Sequence, residues 1–585
     1  MADLLSALVF LPTVGAILLA FLPAEEHRNL KAAALTISLL IFGASLGLWF
    51  GFDPSVPGYQ FGRDVAWIPD FGIRYAIGID GVSMVLIMLT TALMPIVLLG
   101  AWTAIETRVK EFVIAMLVLE TGMIGAFAAL DLFLFYVFWE AMLIPMYFII
   151  GIWGGQRRIY AAIKFFIFTF AASLLMLVAI LYVARLGAGG WDFSLASAIK
   201  HGAQLPLDTQ LWLFSAFALA FAVKVPMFPV HTWLPDAHTE APTPGSVILA
   251  GVLLKLGVYG FIRFAFPMFP KAAFEAAPVL GWLAAIGIVY GAVAAWVQTD
   301  VKRLVAYSSV SHLGFCMLGL AAMTTEGVSG AVFQMLAHGV STGALFTLVG
   351  IVYERRHTRL LADYGGIARK VPVFAFFMVM LTMASAGLPT LCGFPGEFLI
   401  LSGTFTAGSP LDGVLASGDG WTLRLHHALA IISASGVILA AVYLLWMVQK
   451  LLFGPLQDPA NEALEDVRPR EVVVLVPFAV MAVVLGLAPS FLTKKFEPAV
   501  AGFVQQLHIA AGKPYQPDEG QKRLAQAGAK PAAGGLQLRP AYDALRARPE
   551  VLIPSRGDGQ RLQLQRLQPP AQPGGAGGPV PVAKP

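Results

Sequence analysis

Charged residues are scarce in this chain. Asp, Glu, Lys and Arg make up 13% of its 585 residues, whereas soluble globular proteins contain about 25%. Apolar residues make up 58%. A chain of this composition cannot cover a water-exposed surface, so we predict a polytopic membrane protein. The net charge of +4 is small for this length, which argues against the strongly basic surface of a nucleic-acid-binding protein.

Cysteine is almost absent as well. The two cysteines, Cys316 and Cys392, lie far apart in apolar stretches. Zinc and iron–sulfur sites need clustered ligands, so we expect no metal centre and interpret both cysteines as small core residues. The sequence also lacks a phosphate-binding loop and a dinucleotide-binding fingerprint. We therefore expect no cofactor in this chain.

Long apolar runs are abundant instead. About fourteen of them reach the length of roughly 20 residues that a helix needs to cross a bilayer. They lie near 4–22, 30–52, 80–102, 110–130, 132–153, 158–186, 210–238, 244–266, 279–297, 304–325, 327–353, 371–405, 426–453 and 471–492. We predict an all-α fold with these runs as transmembrane helices.

The basic residues of the predicted loops are unevenly distributed. Loops after odd-numbered helices contain most of them, Lys302 included, whereas loops after even-numbered helices contain few, among them Arg263. The positive-inside rule places the odd loops in the cytoplasm or matrix. With an even number of helices, both termini are then expected on the outer side.

Two of the predicted helices, 210–238 and 371–405, are long and are interrupted by proline or glycine. Paired broken helices at matching places in two halves are typical of inverted-repeat transporters, in which the ion site lies at the breaks. We therefore predict two inverted five-helix repeats, helices 4–8 and helices 9–13, with helices 7 and 12 equivalent.

The predicted organisation ends in a tail of different composition. Beyond about residue 505 the chain is rich in Gln, Pro, Gly, Ala and Arg and has no run long enough to span a membrane, so we expect a disordered outer segment after a short interfacial helix near 498–511. The resulting parts are 1–109 (helices 1–3), 110–266 (first repeat), 279–453 (second repeat), 471–492 (helix 14) and 505–585 (tail).

Ionisable residues inside the apolar runs are the candidates for function, because a charge in hydrocarbon is costly and marks ion pathways. At a rise of about 1.5 Å per residue they fall near the midplane of a roughly 30 Å slab. Since they lie on different helices at similar depth, they predict a lateral row in the membrane plane. The six candidates are Glu140, Lys224, Lys255, His312, His338 and Glu397.

Lys224 lies at the first helix break. Pro226 cannot donate to the carbonyl of Ala222, so the helix should end there, and the negative end of its dipole favours the ammonium. We interpret Glu140 as the partner whose charge keeps Lys224 protonated. The alternatives are a structural anchor for Glu140 and snorkelling to the interface for Lys224.

Lys255 is too deep in its helix to snorkel, so we interpret it as a proton carrier; a structural ion pair is the alternative. Glu397 occupies the second break and could also cap the half-helix that follows it. His312 and His338 fit a relay between them, although a lone histidine in an apolar helix is often a core residue.

Three further residues stay open at this point. Glu120 lies at mid-depth without an obvious partner. His231 and His238 belong to the first broken segment, where they either line a water path or pack a loop.

Several motifs give the chain a family likeness. VKVPMFPVHTWLPDAHTEAPTPGSVILAGVLLKLGVYGFIR, preceded by FWEAMLIPMYFIIGIWGG and followed by YSSVSHLGF and GFPGEFLIL, resembles the antiporter-like subunits of respiratory complex I, the NADH:quinone oxidoreductase. The likeness covers roughly residues 1–500. It implies a fourteen-helix proton-pumping subunit of the membrane arm, next to other antiporter-like subunits.

The resemblance assigns roles residue by residue. The family's glutamate–lysine pair on helices 5 and 7 matches Glu140 and Lys224, its central lysine matches Lys255, and its terminal carboxylate matches Glu397. The family's histidines on the linking helices match His312 and His338. A glutamate at position 397 favours one branch of the family, since related chains usually carry a lysine there. The tail beyond about 505 departs from the family pattern.

The resemblance also implies partners and a location. Flavin and iron–sulfur clusters are expected in partner subunits, whose electron transfer drives the pump, and a bacterial inner membrane is favoured by the length of the core. Multisubunit cation/proton antiporters and membrane-bound hydrogenases belong to the same superfamily, so a subunit of either is the alternative. A structural scaffold is disfavoured, because it gains nothing from lysines at the midplane.

Overall fold

The computed structural model describes residues 2–187, 190–407, 414–418, 421–456, 458–513 and 515. Helices dominate this part of the chain, and thirteen helical stretches within it are long and apolar enough to cross a membrane. The predicted tail lies outside the described residues, apart from its beginning up to 513 and residue 515.

The N-terminal part begins with three spans and a hairpin. Its elements are α1 (Ala2–Ala20), α2 (His27–Gly51), β1 (Gln60–Ile68), β2 (Ile73–Ile79) and α3 (Gly81–Ala104). The strands pair antiparallel with a register of Val65 to Tyr75. This hairpin was not predicted from the sequence.

The first predicted repeat follows. Its helices are α4 (Val109–Ala128), α5 (Leu132–Ala141), α6 (Leu143–Trp153), α7 (Arg158–Ala184), α8 (Leu195–Gly202), α9 (Leu207–Lys224), α10 (Trp233–Glu240), α11 (Thr243–Ile248), α12 (Lys255–Gly260) and α13 (Phe266–Met268). The fifth span, predicted as continuous, is interrupted at Met142, directly after α5. The seventh span is broken after Lys224, as predicted.

The eighth span, Thr243–Met268, is a single buried rod with irregular winding. Two π-helical segments, Leu249–Leu253 and Phe261–Ala265, separate α11, α12 and α13. π segments are rare and occur frequently at functional sites. The span packs closely on the end of α9, because a Cβ at Gly257 would lie 2.7 Å from the carbonyl oxygen of Phe221.

The second predicted repeat and the C-terminal helices complete the fold. They are α14 (Pro270–Trp296), α15 (Val301–Ala322), α16 (Thr325–Arg356), α17 (Pro372–Ser385), α18 (Gly393–Phe405), β3 (Val414–Gly418), β4 (Trp421–Arg424), α19 (Leu425–Leu452), α20 (Pro459–Glu462), α21 (Pro469–Leu487) and α22 (Ser490–Ala511). The predicted span 371–405 is the pair α17 and α18, each too short to cross a membrane alone.

Helix α22 extends past residue 505, so the first residues of the predicted tail are helical. It lies against the start of α3, since a Cβ at Gly81 would meet the carbonyl oxygen of Lys495 at 2.1 Å. The β1–β2 hairpin lies on this same face, where Tyr59 contacts the end of the eighth span. We call this face the hairpin side.

Aspartates begin several of the spans. Asp80 accepts from the Ser83 amide at the start of α3, and Asp131 accepts from the Leu134 amide at the start of α5. Such caps satisfy amides that have no partner within the helix. Asp131 lies between two spans on the hairpin side, and burial raises the pKa of its carboxyl to about 7.

Two basic residues that the sequence analysis assigned to loops are buried. Arg263 lies in the second π segment of the eighth span with 7% of its surface exposed, and Lys302 lies in the first turn of α15, also 7% exposed. The loop assignment was wrong for both, because each side chain has polar partners inside the protein.

Candidate functional site

Lys224 is the last residue of α9 and is only 2% exposed. More backbone carbonyls at the end of α9 are hydrogen-bonded than the sequence suggested. Met227 donates its amide to the carbonyl of Ala222 at 2.8 Å, and the indole of Trp233 donates to the carbonyl of Val223 at 2.9 Å. The carbonyl that Pro226 cannot bond is therefore not free to face the ammonium.

The closest contact of the Lys224 ammonium that the structure gives is aromatic. Its Nζ lies 4.6 Å from the ring centroid of Trp139. Glu140 is near enough to interact electrostatically with Lys224. Within the described residues, however, neither Glu140 Oε1 nor Lys224 Nζ has a hydrogen-bond partner. The two predicted partners are neighbours without a direct hydrogen bond, and Trp139 was not among the residues predicted from the sequence.

Lys255 begins α12, directly after the first π segment, and is fully buried. In that segment the Leu254 amide bonds to the carbonyl of Leu249 instead of Ala250. The carbonyl of Ala250 accepts from Lys255 Nζ. The irregular winding thus creates a backbone acceptor for the ammonium in the middle of the span.

A chain of side chains runs on from Lys255 through two long helices. Lys255 Nζ lies 2.7 Å from Nδ1 of His338 on α16. The ring of His338 lies 5.9 Å from that of His312 on α15, centroid to centroid. Nδ1 of His312 lies 3.1 Å from Oε1 of Glu397 on α18. Four of the six predicted residues are therefore brought together, all of them 2% exposed or less.

The hydrogen-bond partners assign tautomers to the two histidines. An ammonium can only donate, so His338 accepts at Nδ1 and carries its proton at Nε2. A carboxylate can only accept, so His312 donates from Nδ1 to Glu397. The Nε2 of His312 then accepts from the hydroxyl of Tyr443 at 3.4 Å. Each ring can pass a proton by exchanging these roles.

Glu397 lies early in α18, one turn past the second break. Its Oε1 also accepts from the amide of Gln334 at 3.3 Å. A Cβ at Gly387 would lie 2.8 Å from its Oε2, and Gly387 has a φ of +75°. The turn after α17 therefore needs glycine, both for its left-handed backbone and for the space next to the carboxylate. Sequence reasoning missed Gln334 and Tyr443, which lie on helices that only the fold brings near Glu397.

A second polar group lies beside this chain, around α10. The ring of His238 stacks on Phe346 at 4.7 Å, and His238 interacts electrostatically with both Lys302 and Lys255. Lys302 Nζ donates to the carbonyl of Ala241. Neither nitrogen of His238 has a hydrogen-bond partner in the described part of the chain. His238 is therefore a buried imidazole next to Lys255 whose two ring nitrogens are not committed to other described residues.

Two residues that sequence analysis left open stay apart from the chain. Glu120 is fully buried in α4, and neither of its carboxylate oxygens has a hydrogen-bond partner among the residues that the structure describes. His231 packs among aromatic rings, with Tyr290 at 5.1 Å and Phe228 at 5.8 Å. With Phe228 and Tyr290 around it, His231 is packed like a core residue.

The described residues contain no group of three or more His, Cys, Asp or Glu side chains that could hold a metal ion. Cys316 and Cys392 are free thiols in the core. The candidate groups of the site are side chains that can donate or accept protons: two lysines, two carboxylates and the histidines between them.

The chain is similar to known proteins over most of its length. The family model described as "NADH:quinone oxidoreductase/Mrp antiporter, TM" matches residues 129–418. NADH-quinone oxidoreductase subunit M of Rhodobacter capsulatus is 47% identical over 526 residues, which cover 88% of this chain and 98% of the relative. NADH-ubiquinone oxidoreductase chain 4 of Arabidopsis thaliana is 40% identical over 502 residues, covering 86% and 97%.

The fold is also similar to that of a solved structure. A chain of respiratory complex I from Thermus thermophilus with bound NADH superposes with a TM-score of 0.76 at 33% identity, covering 86% of this chain and 99% of the other. The resemblance seen in the sequence motifs is confirmed.

Proposed function

Since the chain belongs to the NADH-quinone oxidoreductase subunit M family, we propose that it is a proton-translocating membrane-arm subunit of an NADH:quinone oxidoreductase. The observation that supports transport through this chain is the contact series from Lys255 through His338 and His312 to Glu397. It crosses four separate spans inside the protein, where ionisable groups are costly and therefore mark ion pathways.

Proton transfer proceeds along this series in our proposal. Glu140 and Trp139 stabilise the ammonium of Lys224, and a shift of Glu140 away from Lys224 drives its proton toward Lys255. Lys255 donates to Nδ1 of His338. Because the two imidazoles make no direct hydrogen bond with each other, a water or a ring rotation completes the step to His312. Glu397 then takes the proton and releases it.

Proton uptake occurs beside α10 in this scheme. His238 lies next to Lys302 and Lys255, and its two ring nitrogens allow it to accept and donate. Charged residues cluster at the same end of α10, where Asp236 pairs with Lys164 at 2.6 Å. This end connects to the loops that carry most of the basic residues, and the positive-inside rule assigns those loops to the cytoplasm.

The remaining architecture follows the same proposal. The protein is a multi-pass subunit of the bacterial inner membrane with both termini on the outer side, which is the hairpin side. Helices 4–8 and 9–13 are inverted repeats, and the breaks after Lys224 and before Glu397 are equivalent positions of opposite charge. The dipole of α18 favours an anion near its start.

The driving energy comes from outside this chain. Flavin and iron–sulfur clusters in partner subunits carry out the redox reaction. Neighbouring antiporter-like subunits transmit its driving energy to this chain through lateral contacts. In this proposal the chain itself contributes no redox group, and its side chains act only by holding and moving protons.

The proposal is tested with the complete complex reconstituted in liposomes. We expect Lys224→Ala and Glu140→Ala to suppress NADH-driven proton uptake and quinone-coupled turnover, while NADH oxidation with an artificial acceptor stays intact. Lys494→Ala, which removes an exposed lysine of α22, is the matched control and should pump normally. Full pumping by both site variants would refute the proposal. Sodium-dependent transport without redox partners would instead support a cation/proton antiporter.

A further inference from the structure

A second buried charged cluster lies on the helix that carries Lys255, toward the hairpin side. Tyr259 is one turn beyond Lys255 and Arg263 two turns beyond, so all three lie on one face of the eighth span. Arg263 is about 12 Å from Lys255 along the helix axis. The proposed function does not use this cluster.

Each nitrogen of the Arg263 guanidinium contacts an oxygen. Nε donates to the hydroxyl of Tyr259 at 3.0 Å, and one terminal nitrogen donates to the hydroxyl of Tyr59 at 2.8 Å. The other donates to Ser83 at 3.0 Å and pairs with Asp80 at 2.6 Å. The guanidinium therefore joins the end of the eighth span to the start of α3 and to the segment before β1.

The hydroxyl of Tyr259 is fully engaged as well. It accepts from Arg263, lies 3.0 Å from Ser83 Oγ and donates to the carbonyl of Phe127 at 2.8 Å. A proton relay needs groups that both accept and release a proton. Tyr259 is held between a guanidinium, which only donates, and a carbonyl, which only accepts, so while these bonds persist its hydroxyl does not pass a proton from Lys255 to the hairpin side.

The contacts of Lys255 point the opposite way. Its ammonium bonds to the carbonyl of Ala250, on the preceding turn, and to His338. The positive charge of Arg263 also disfavours an excess proton between Lys255 and Arg263. Its partner Asp80 lies on the more exposed side of Arg263, with 16% of its side chain exposed against 8% for Arg263. Fixed positive charges exclude protons from membrane pores by the same principle.

We propose that Arg263 is a barrier residue, which closes the short way from Lys255 to the hairpin side and so obliges the proton to travel laterally to Glu397. The inference rests on the proposed transport through Lys255. Arg263 does not carry the proton itself; it acts by keeping Tyr259 engaged and by its charge.

The test measures passive proton leak through the complete complex in liposomes, without NADH, as the decay of an imposed pH gradient. The variant Arg263→Gln with Asp80→Asn removes both charges and keeps polar side chains, so no buried charge is left alone. A unit charge about 12 Å away at an effective dielectric constant of about 20 corresponds to about a tenfold effect. This is an upper limit here, because the charge of Asp80 is removed together with that of Arg263. We expect the leak to rise by up to about that factor, and the ratio of protons pumped to NADH oxidised to fall. Arg263→Lys, which keeps the charge, should stay close to wild type.

A further variant separates a barrier from a packing defect. Adding Lys255→Ala to Arg263→Gln/Asp80→Asn should return the leak to the wild-type value, because the leaking proton passes through Lys255. If the double variant does not assemble, Arg263→His supplies a group that can relay protons and should leak in the same way.

Two outcomes would overturn the inference: a leak at the wild-type value in both Arg263→Gln/Asp80→Asn and Arg263→His, or a raised leak that persists after Lys255→Ala. These outcomes differ from a failure of the proposed function, which would be full pumping by Lys224→Ala and Glu140→Ala with Arg263 intact.

Discussion

The ring of Trp139 offers the most specific test of how the buried ammonium of Lys224 is stabilised. The ammonium lies 4.6 Å from the ring centroid, and a cation–π contact at a desolvated site contributes about 2 kcal/mol. Replacing Trp139 by leucine removes this term. About 1.4 kcal/mol corresponds to a tenfold change in an equilibrium. The ratio of charged to neutral Lys224 therefore falls about thirtyfold.

We therefore expect Trp139→Leu to slow NADH-driven pumping by up to about thirtyfold. Glu140 cannot replace the ring, because its Oε1 makes no hydrogen bond to Lys224 or to another described residue. Trp139→Phe should lose less, since phenylalanine keeps a smaller aromatic face toward Lys224. The measurement is dye-reported proton uptake by reconstituted complex, normalised to NADH oxidation with an artificial acceptor.

Packing must be separated from the electrostatic effect. Trp139 also packs against Phe135 and Phe221, with ring centroids 5.4 Å away in each case. Phe135→Leu is the matched control, because it removes an aromatic ring from the same cluster without removing the ring over Lys224. Wild-type pumping by assembled Trp139→Leu complex would refute the reasoning, and so would an equal loss in Phe135→Leu.

Three further predictions concern other parts of the molecule. Gly387→Ala should lower pumping and cost about 1–2 kcal/mol of stability, because the added methyl meets Glu397 at a positive φ; proton uptake and thermal unfolding of the complex check this, and normal values for both would contradict it. Replacing both His312 and His338 by alanine should abolish most pumping, while either single change causes partial loss because water can substitute for one ring; wild-type pumping by the double variant would refute the relay. The pKa of Asp131 is raised to about 7 in the folded protein, so its contribution to stability is complete below about pH 4 and is lost as the pH rises through about 7; Asp131→Asn should flatten this part of the thermal stability profile, and an unchanged profile would contradict the assignment.

The candidate residues can be recognised from the sequence because the cost of a buried charge is local. A lysine or glutamate inside an apolar run is expensive wherever the helix packs, so Lys224, Lys255 and Glu397 stand out without any structure. Proline and glycine likewise predict breaks from local backbone chemistry, and the breaks after Lys224 and Ser385 are where the sequence indicated. The fold class and the family follow from the same apolar runs and motifs.

What the sequence could not predict are relations between distant segments. The π segment that turns the carbonyl of Ala250 toward Lys255 is a small irregularity in helix winding, and the sequence shows no signal for it. Trp139 looked like one more apolar aromatic residue until the fold placed it over Lys224.

The sequence alone is enough to recognise a helical membrane protein of the antiporter-like family and to select six ionisable residues as candidates for its site. Which of these residues touch follows from the packing of the helices. It joined Lys255, His338, His312 and Glu397 from four spans, kept Glu140 from a direct bond to Lys224, and turned Arg263 from a supposed loop residue into a buried one. The cost of burying a charge depends on the residue itself and on the apolar segment around it, which the sequence shows. The partners of that charge depend on how helices that are far apart in the chain pack together.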